Sequence, residues 1–461
     1  MEKKIKYLVV FSSIFIFIAF KLIFLTLFFG DSNAYFYMAK VVLAGNMPYR
    51  DFFLADPPLL VLILAFLRIF FGNNLFFYQS LPIFFEAASA FMLFLILEQE
   101  KNRFSSLAPL IYLFSFSVMA TSDYLTGAQL VILFSLLGIF LWKKEMPFFS
   151  AVCWSLACLV KLYAAPALLG FLIFILLEKN KKKFIKFVFG IIFTAVLIMG
   201  PFLAVSFYKV IAYTIIHQFN RTAGLSKINV FSFLVFREWL LLILAIGGII
   251  ISKRKEFFYP FIASLIFFIL FQDIYYAYFD SFFAYIVIFA VFFLDWLWQR
   301  KKELFFPVLA VYFIFFLISL GYYQQTSFNE GRLTNASQIS DYVKTLPAKY
   351  DIYGSHEIAP VIALLSQRKL FDNYIDTNMQ AFGSGALNLE EVSSAAAKSG
   401  VILISRITDL PQYNIKDSGY EGYFSEKVFK DDCQRIKDFP STSNGQDNYI
   451  VLYKCEIKSA D

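Results

Sequence analysis

Apolar residues form uninterrupted runs long enough to cross a lipid bilayer. The first run covers residues 7–30, and the others are centred near Phe85, Tyr112, Phe134, Cys153, Gly170, Leu197, Ile243, Leu265, Ile288 and Phe315. A hydrocarbon layer ~30 Å thick requires about 20 apolar residues per helix. The pattern therefore predicts about eleven spanning helices. The first run lacks the small-residue cleavage site of a signal peptide, so we expect it to be an uncleaved helix.

Beyond Tyr323 the apolar runs shorten and polar residues separate them. Residues 350–354, 401–405 and 449–454 are predicted to be strands, and residues 340–346 and 358–367 are predicted to be helices. The chain is thus predicted to be a polytopic α-helical membrane protein over residues 1–322. A small extracytoplasmic α/β domain is predicted to follow over residues 323–461.

The composition supports a membrane location for most of the chain. Of the 461 residues, 59% are hydrophobic and 16% are charged, whereas soluble domains contain about 45–50% apolar and about 25% charged residues. A soluble chain of this length could not bury so much apolar surface, because its folded surface must still face water. The composition therefore excludes an ordinary soluble protein.

The positions of the basic residues predict which side of the membrane each loop faces. Alternate loops are rich in lysine and arginine, which is typical of cytoplasmic loops. They contain residues 101–103, 143–144, 179–186, 253–255 and 300–302. A longer outer loop with Arg221, Lys227 and Arg237 departs from the rule. We expect a cytoplasmic N-terminus, an outer C-terminal domain, and basic loops against anionic lipid, which explains the net charge of +7 without nucleic acid.

The four cysteines follow this topology. Cys153 and Cys158 lie in an apolar helix, where a free cysteine is usually a small hydrophobic residue. Cys433 and Cys455 lie in the predicted outer domain, where oxidation is permitted. A disulfide between them is left open, because it requires Cα atoms within ~7 Å of each other.

The segment after the first helix contains the most informative polar residues. Asp31 stands at the mouth of that helix, at the edge of the hydrocarbon, where a carboxylate is costly unless it is used. A helix cap exposed to lipid headgroups is the structural alternative. Residues 31–43 have a polar and an aromatic side at helical spacing, which predicts an interfacial helix. Residues 58–71 are apolar but short, so we expect them to dip into the outer leaflet.

This order of motifs resembles the lipid-linked-sugar glycosyltransferases of the GT-C fold, in the branch of protein mannosyltransferases and lipid A aminoarabinose transferases. The first outer loop of that branch has an acidic residue, a tyrosine-containing helix, a Gly-x-x-Pro-Tyr element and a Pro-Pro pair. Here these are Asp31, residues 35–39, residues 45–49 and residues 57–58. An acidic residue in the second outer loop and a lysine after the fifth helix are matched by Asp123 and Lys161.

Two positions depart from the pattern of that family. Many relatives have a second carboxylate directly after the first, where this chain has Ser32. Many also have a basic residue before the Pro-Pro pair, where this chain has Asp56. The first departure weakens the case for a metal site built from paired carboxylates. The second removes an expected phosphate contact, which Lys161, Arg50 or Arg221 would have to supply.

The resemblance implies an inverting transfer of a sugar from a polyprenyl-phosphate donor to a glycan, lipid or protein acceptor on the outer face of the membrane. Asp31 is the expected general base. Asp123 is expected to orient the acceptor, or to share a divalent metal with Asp31, and no other cofactor is expected. The residues expected to contact the substrates are Tyr35, Tyr49, Arg50, Asp56, Lys161 and Arg221. For Lys161, snorkelling of the side chain to the interface is the structural alternative.

Two other classes of function stay open on the sequence. A lipid or sugar transporter or flippase would need charged or helix-breaking residues near the middle of the membrane, and Lys21 is the main such charge. A membrane anchor or receptor would use the C-terminal domain as its working part, and it would leave the first outer loop unexplained.

Overall fold

The computed structural model describes residues 2–25, 27, 29–222, 224–329, 335–410, 415–417, 420, 422–443 and 446–457. The helices in these ranges are α1 Glu2–Ile23, α2 Ser32–Leu43, α3 Leu59–Phe71, α4 Leu75–Gln99, α5 Leu107–Leu113, α6 Phe116–Thr121, α7 Ala128–Lys143, α8 Pro147–Val160, α9 Ala165–Leu177, α10 Lys181–Ile211, α11 His217–Phe219, α12 Lys227–Ile251, α13 Lys255–Leu270, α14 Asp280–Arg300, α15 Lys302–Asn329, α16 Ala336–Thr345, α17 Ala359–Ser366, α18 Met379–Gly383, α19 Leu389–Ser399 and α20 Glu426–Asp432. The strands are β1 Asp351–Gly354, β2 Val401–Leu410, β3 Ile415–Asp417, β4 Cys433–Ser443 and β5 Gln446–Cys455.

Each predicted apolar run overlaps a helix, except that the run around Tyr112 is divided between α5 and α6. Among the described residues, the helices long and apolar enough to cross a membrane are Lys4–Ile23, Leu75–Gln99, Lys181–Phe219, Lys227–Ile251 and Tyr276–Arg300. Shorter apolar helices are Leu59–Phe71, Ala128–Lys143, Pro147–Val160 and Leu162–Leu177. The prediction of a polytopic α-helical membrane protein is therefore confirmed, and the number of about eleven spans stays a prediction.

The structure departs from the predicted single span around Tyr112, where α5 ends and α6 begins after a break. Ser115 is extended there, with φ −64° and ψ 151°, and its Oγ accepts a hydrogen bond from Val118 N. A carboxylate oxygen of Glu238 accepts hydrogen bonds from Ser117 N at 2.8 Å and Ser117 Oγ at 3.0 Å. A serine cap and a carboxylate both favour a new helix N-terminus, so two short helices form.

The chain divides into two compact units, which are described separately. Unit 1 contains Met1–Leu25, Gln79–Gly200 and Ala223–Thr326, and unit 2 contains Thr26–Tyr78, Pro201–Thr222 and Ser327–Asp461. Unit 2 thus combines the segment between α1 and α4 with the C-terminal segment. The predicted domain boundary between residues 322 and 323 stays a prediction.

The core of unit 1 surrounds α14. Residues 282–291 of this helix are almost fully buried, and α14 packs against α12. A Cβ atom at Gly248 would lie 1.9 Å from the backbone oxygen of Phe289, so the two helix backbones approach closely where α12 has no side chain. Small residues permit such close approach between membrane helices, where van der Waals packing rather than the hydrophobic effect drives association.

The C-terminal part of unit 2 contains a mixed sheet in the order β1-β2-β5-β4, with β3 paired to β2. Strands β1 and β2 are parallel, whereas β2 and β4 both run antiparallel to β5. The predicted strands and helices of this region coincide with β1, β2, β5, α16 and α17. Cys433 and Cys455 are opposite each other on β4 and β5 and form a disulfide, with their Cα atoms 4.0 Å apart.

Candidate functional site

Asp31 lies in unit 2, directly before α2. Although it occupies the N-cap position, its side chain makes no capping hydrogen bond to that helix. Its Oδ1 instead lies 2.9 Å from Nε2 of His356, which comes from the C-terminal segment. The side chain of Asp31 is 45% exposed and that of His356 is 15% exposed. Asp31 therefore does not cap α2 through its side chain.

The local fold of the C-terminal segment places His356 beside Asp31. Strand β1 ends at Gly354, where φ is +150° and a Cβ atom would lie 2.1 Å from the backbone oxygen of Ile404 on β2. Only glycine fits this close approach. Ser355 then donates its backbone N–H to the same Ile404 oxygen at 3.2 Å, and Ala359 N bonds Ser355 O as α17 begins. His356 thus lies just after the carboxyl end of β1, and α/β sheets commonly place their sites at the carboxyl ends of parallel strands.

Further hydrogen bonds tie α2 to this segment. Asn33 Nδ2 donates to the backbone oxygen of Glu357 at 2.9 Å. The hydroxyl of Tyr37 accepts a hydrogen bond from Leu370 N at 2.8 Å. Both Asn33 and Tyr37 are buried, and α17 packs against α2. These buried polar bonds fix the position of the residue before α2, which is Asp31.

Asp56 accepts hydrogen bonds from two tyrosines, Tyr35 on α2 and Tyr49 in the loop after it. Tyr35 donates its hydroxyl hydrogen to Asp56 Oδ2 at 2.8 Å, and Tyr49 donates to the backbone oxygen of Asp56 at 2.8 Å. Tyr49 is fully buried and packs edge-on against Phe202 at 5.7 Å. Tyr35 and Asp56, both predicted substrate contacts, therefore lie in one hydrogen-bonded group, whereas Tyr49 holds the loop that positions Asp56.

The electrostatics of this group are dominated by carboxylates. Burial by itself would lower the pKa of His356, but its hydrogen bond to Asp31 and the charges of Asp31, Glu357 and Asp376 raise that pKa to about 9. His356 is therefore protonated at neutral pH. Burial, assisted by the charges of Asp31 and Asp56, raises the pKa of the Asp376 carboxyl, although His356 opposes the shift.

The same surroundings keep Tyr35 neutral. Burial, followed by the negative charges of Asp56 and Asp31, raises the pKa of its hydroxyl well above the ordinary value of 10.0. A neutral phenol donates a hydrogen bond, so Tyr35 can hold the carboxylate of Asp56 without competing with Asp31 for a proton.

Instead of the hydrogen bond between Asp31 and His356, these side chains could bind a metal ion. Within the described residues, Asp31, His356 and Glu357 present ligand atoms that all lie within 4.8 Å of one another. A nitrogen and two carboxylate oxygens are donors that suit a divalent transition metal such as zinc. The predicted metal pair of Asp31 and Asp123 stays a prediction. The structure offers His356 and Glu357 as other residues that could bind a metal together with Asp31.

Asp123 belongs to unit 1 and forms an ion pair. Its Oδ2 accepts a hydrogen bond from Lys21 Nζ at 3.0 Å, and Lys21 also donates to Met119 O at 2.8 Å. The side chain of Lys21 is 1% exposed, whereas that of Asp123 is 29% exposed. Asp123 therefore neutralises the internal lysine. The transporter alternative depended on the charge of Lys21. The ion pair with Asp123 gives that charge a structural role.

The three predicted phosphate contacts lie in different surroundings. Lys161, in unit 1, follows α8 and is buried, with its methylene groups against Gly127. Arg50, in unit 2, is exposed and donates to both carboxylate oxygens of Asp51, at 2.8 and 2.7 Å. Arg221, also in unit 2, is half-buried and follows α11. The assignment of these cations to a phosphate stays a prediction.

Sequence reasoning missed His356, Glu357 and Asp376. The chain contains two histidines, and His356 lies two residues after a run that was correctly predicted as a strand. Polar residues at the end of such a strand are a known signal for a site. The contact with Asp31 could not be found in this way, because the two residues are separated by 325 positions.

No protein-family model and no curated protein sequence matches the chain. Solved structures do match it. ArnT from Cupriavidus metallidurans in the apo state aligns over 95% of this chain and 97% of that chain, with a TM-score of 0.63 and 12% sequence identity. The chain has the GT-C glycosyltransferase fold. ArnT bound to undecaprenyl phosphate shows the same GT-C likeness, over 98% of this chain and 97% of that chain, with a TM-score of 0.58 and 12% identity.

The ion pair of Lys21 and Asp123 gives a test that separates its structural role from a catalytic one. Asp123→Ala should destabilise the folded protein by ~3 kcal/mol, the low end for breaking a buried pair, because Asp123 is partly exposed. The double variant Lys21→Met with Asp123→Leu removes both charges and should recover most of that loss in a thermal unfolding assay in detergent. A double variant as unstable as the single one would contradict the structural role.

Proposed function

We propose that the chain is a membrane glycosyltransferase that moves a sugar from a polyprenyl-phosphate donor to an acceptor on the outer face of the membrane. The observation that supports this most is the position of Asp31, which is partly exposed and hydrogen-bonded to a half-buried histidine, in a chain with the GT-C fold. The binding of undecaprenyl phosphate by ArnT supports the class of donor.

The reaction needs a base that accepts the proton of the acceptor hydroxyl, and a leaving group that departs from the sugar. The acceptor hydroxyl oxygen forms a bond to the anomeric carbon of the sugar while the bond from that carbon to the phosphate oxygen breaks. The bonding electron pair leaves with the polyprenyl phosphate, and the hydroxyl proton passes to the carboxylate of Asp31. Attack from the face opposite to the phosphate inverts the anomeric configuration. A phosphate ester is a good leaving group, so positioning and proton removal are the main tasks of the protein.

The surroundings of Asp31 suit it to this role. Because His356 is a hydrogen-bond donor to Asp31, it favours the ionised carboxylate, which is the form that accepts a proton. The exposed 45% of the Asp31 side chain leaves surface that an acceptor can approach. Roles for Asp123 and Lys161, which belong to unit 1, remain part of the proposal on the family resemblance.

Asp31→Asn should reduce transfer by about 10²–10⁴-fold, the usual contribution of a general base. Asparagine is nearly isosteric and still accepts a hydrogen bond, so the protein should remain inserted and folded and should bind the lipid donor. The measurement is release of polyprenyl phosphate by purified protein in lipid nanodiscs, with and without a chelator.

Asp51→Asn is the matched control for this variant. Asp51 lies in the same outer loop, but it pairs with the exposed Arg50 and makes no described contact with Asp31. Its turnover should stay close to that of the unchanged protein. Near-normal turnover of the Asp31 variant would contradict the assignment of the base. Loss of wild-type turnover on chelation would instead support a metal held by Asp31, His356 and Glu357.

The proposal requires the C-terminal domain to lie outside the cytoplasm. Ser394 is exposed on α19, so Ser394→Cys should react with a membrane-impermeant maleimide in intact cells. Cys153 and Cys158 are replaced by alanine in this experiment, and Cys433 and Cys455 are already joined. Labelling only after the membrane is broken would reverse the orientation and exclude an outer-face reaction.

A further inference from the structure

We propose that His356 is a positioning residue, by which the C-terminal domain fixes the carboxylate of Asp31 for transfer. The proposal rests on the proposed function, because it assumes that Asp31 is the base. It assigns the C-terminal domain a part in the active site itself, rather than a separate binding task.

The first step is that the helix following Asp31 does not hold its side chain. An aspartate at an N-cap usually accepts a hydrogen bond from the first turn of its helix, which fixes the side-chain rotamer. Asp31 makes no such bond. Its Oδ1 is held from the C-terminal segment, by His356 Nε2 at 2.9 Å.

The second step is that His356 is itself held in place. Gly354 and Ser355 bind its backbone segment to Ile404 of β2. Glu357, the next residue, accepts the side-chain amide of Asn33 through its backbone oxygen at 2.9 Å. Asn33 lies two residues after Asp31, and Glu357 directly follows His356. The Asn33–Glu357 hydrogen bond therefore joins the same two segments as the Asp31–His356 hydrogen bond. A carboxylate held in this way loses little further freedom when it reacts.

The third step concerns the neighbours of the imidazole. Asn378 Nδ2 lies 3.5 Å from His356 Nε2, and Oδ1 of Asn378 accepts a hydrogen bond from Gln380 N at the start of α18. Thr377 donates its hydroxyl hydrogen to Gly354 O at 2.6 Å. Loss of the imidazole would remove its hydrogen bond to Asp31 without removing the base.

The consequence is a defined kinetic signature. A misplacement of about 1 Å at a reacting group can cost 10²-fold in rate. His356→Ala should therefore lower kcat by about 10–10²-fold and leave the KM for the donor within about threefold. His356→Gln, whose amide nitrogen can donate to Asp31, should recover a large part of kcat.

The decisive experiment combines variants at the two positions. If His356 acts through Asp31, His356→Ala should cause no further loss in an Asp31→Asn background, because coupled residues are not additive. Single-turnover assays with radiolabelled donor would measure the residual rates, and thermal unfolding would be followed for each variant. Lys349→Ala is the matched control, since Lys349 is exposed, precedes β1 at its opposite end, and pairs with Glu456.

The outcomes separate this inference from the proposed function. No turnover by the unchanged protein would defeat the proposed function. An active protein in which Asp31→Asn fails but His356→Ala behaves normally would defeat only the role of His356. Additive losses in the double variant would also overturn the role of His356. The same conclusion would follow if the unchanged protein binds a metal, His356→Ala loses that metal, and added metal restores the turnover of the variant. A smaller loss in His356→Ala than in Asp31→Asn, with no further loss in the double variant and with unchanged metal content and stability, would support positioning.

Discussion

The hydrogen bond between Asp31 and His356 is the interaction on which the rest of the site depends. It joins residues 325 positions apart, and both belong to unit 2. Around it, the amide of Asn33 and the hydroxyl of Tyr37 bond the backbone of the C-terminal segment. Buried polar groups are costly when they are unpaired, so these bonds specify one docking of α2 on the C-terminal segment. The carboxylate of Asp31 is thereby held from the C-terminal segment.

The charge balance of this region explains why the partner of Asp31 is a histidine that becomes protonated. The negative charges of Asp31, Glu357 and Asp376 raise the pKa of His356. Those of Asp31 and Asp56 raise the pKa of the Asp376 carboxyl. Without a cation, the nearby carboxylates would raise one another's pKa values and favour protonated acids. A protonated imidazole relieves this repulsion. The same donor atoms suit a divalent metal, and the chelator experiment distinguishes the two arrangements.

The sequence predicted those features that depend on local pattern. Apolar runs located the helices, and short apolar runs located β1, β2 and β5, because burial on a helix or a sheet leaves a periodic signature. The break between α5 and α6 was missed because its stabilising carboxylate, Glu238, is distant in sequence. His356 was missed for the same reason. The disulfide could be posed but not decided, because pairing across β4 and β5 depends on the register of those strands. The resemblance suggested Asp31, and the structure then showed what holds it.

The central claim is that this chain uses a sugar attached to a polyprenyl phosphate. The most direct measurement supplies the purified protein in nanodiscs with an acceptor extract and a set of radiolabelled donors. One series would be polyprenyl-phosphate sugars, and the other would be the corresponding nucleotide sugars. The account predicts label transfer only from the lipid-linked series, with polyprenyl phosphate released in an equal molar amount. Transfer from nucleotide sugars, or disappearance of the lipid donor without its phosphate being released, would contradict the account.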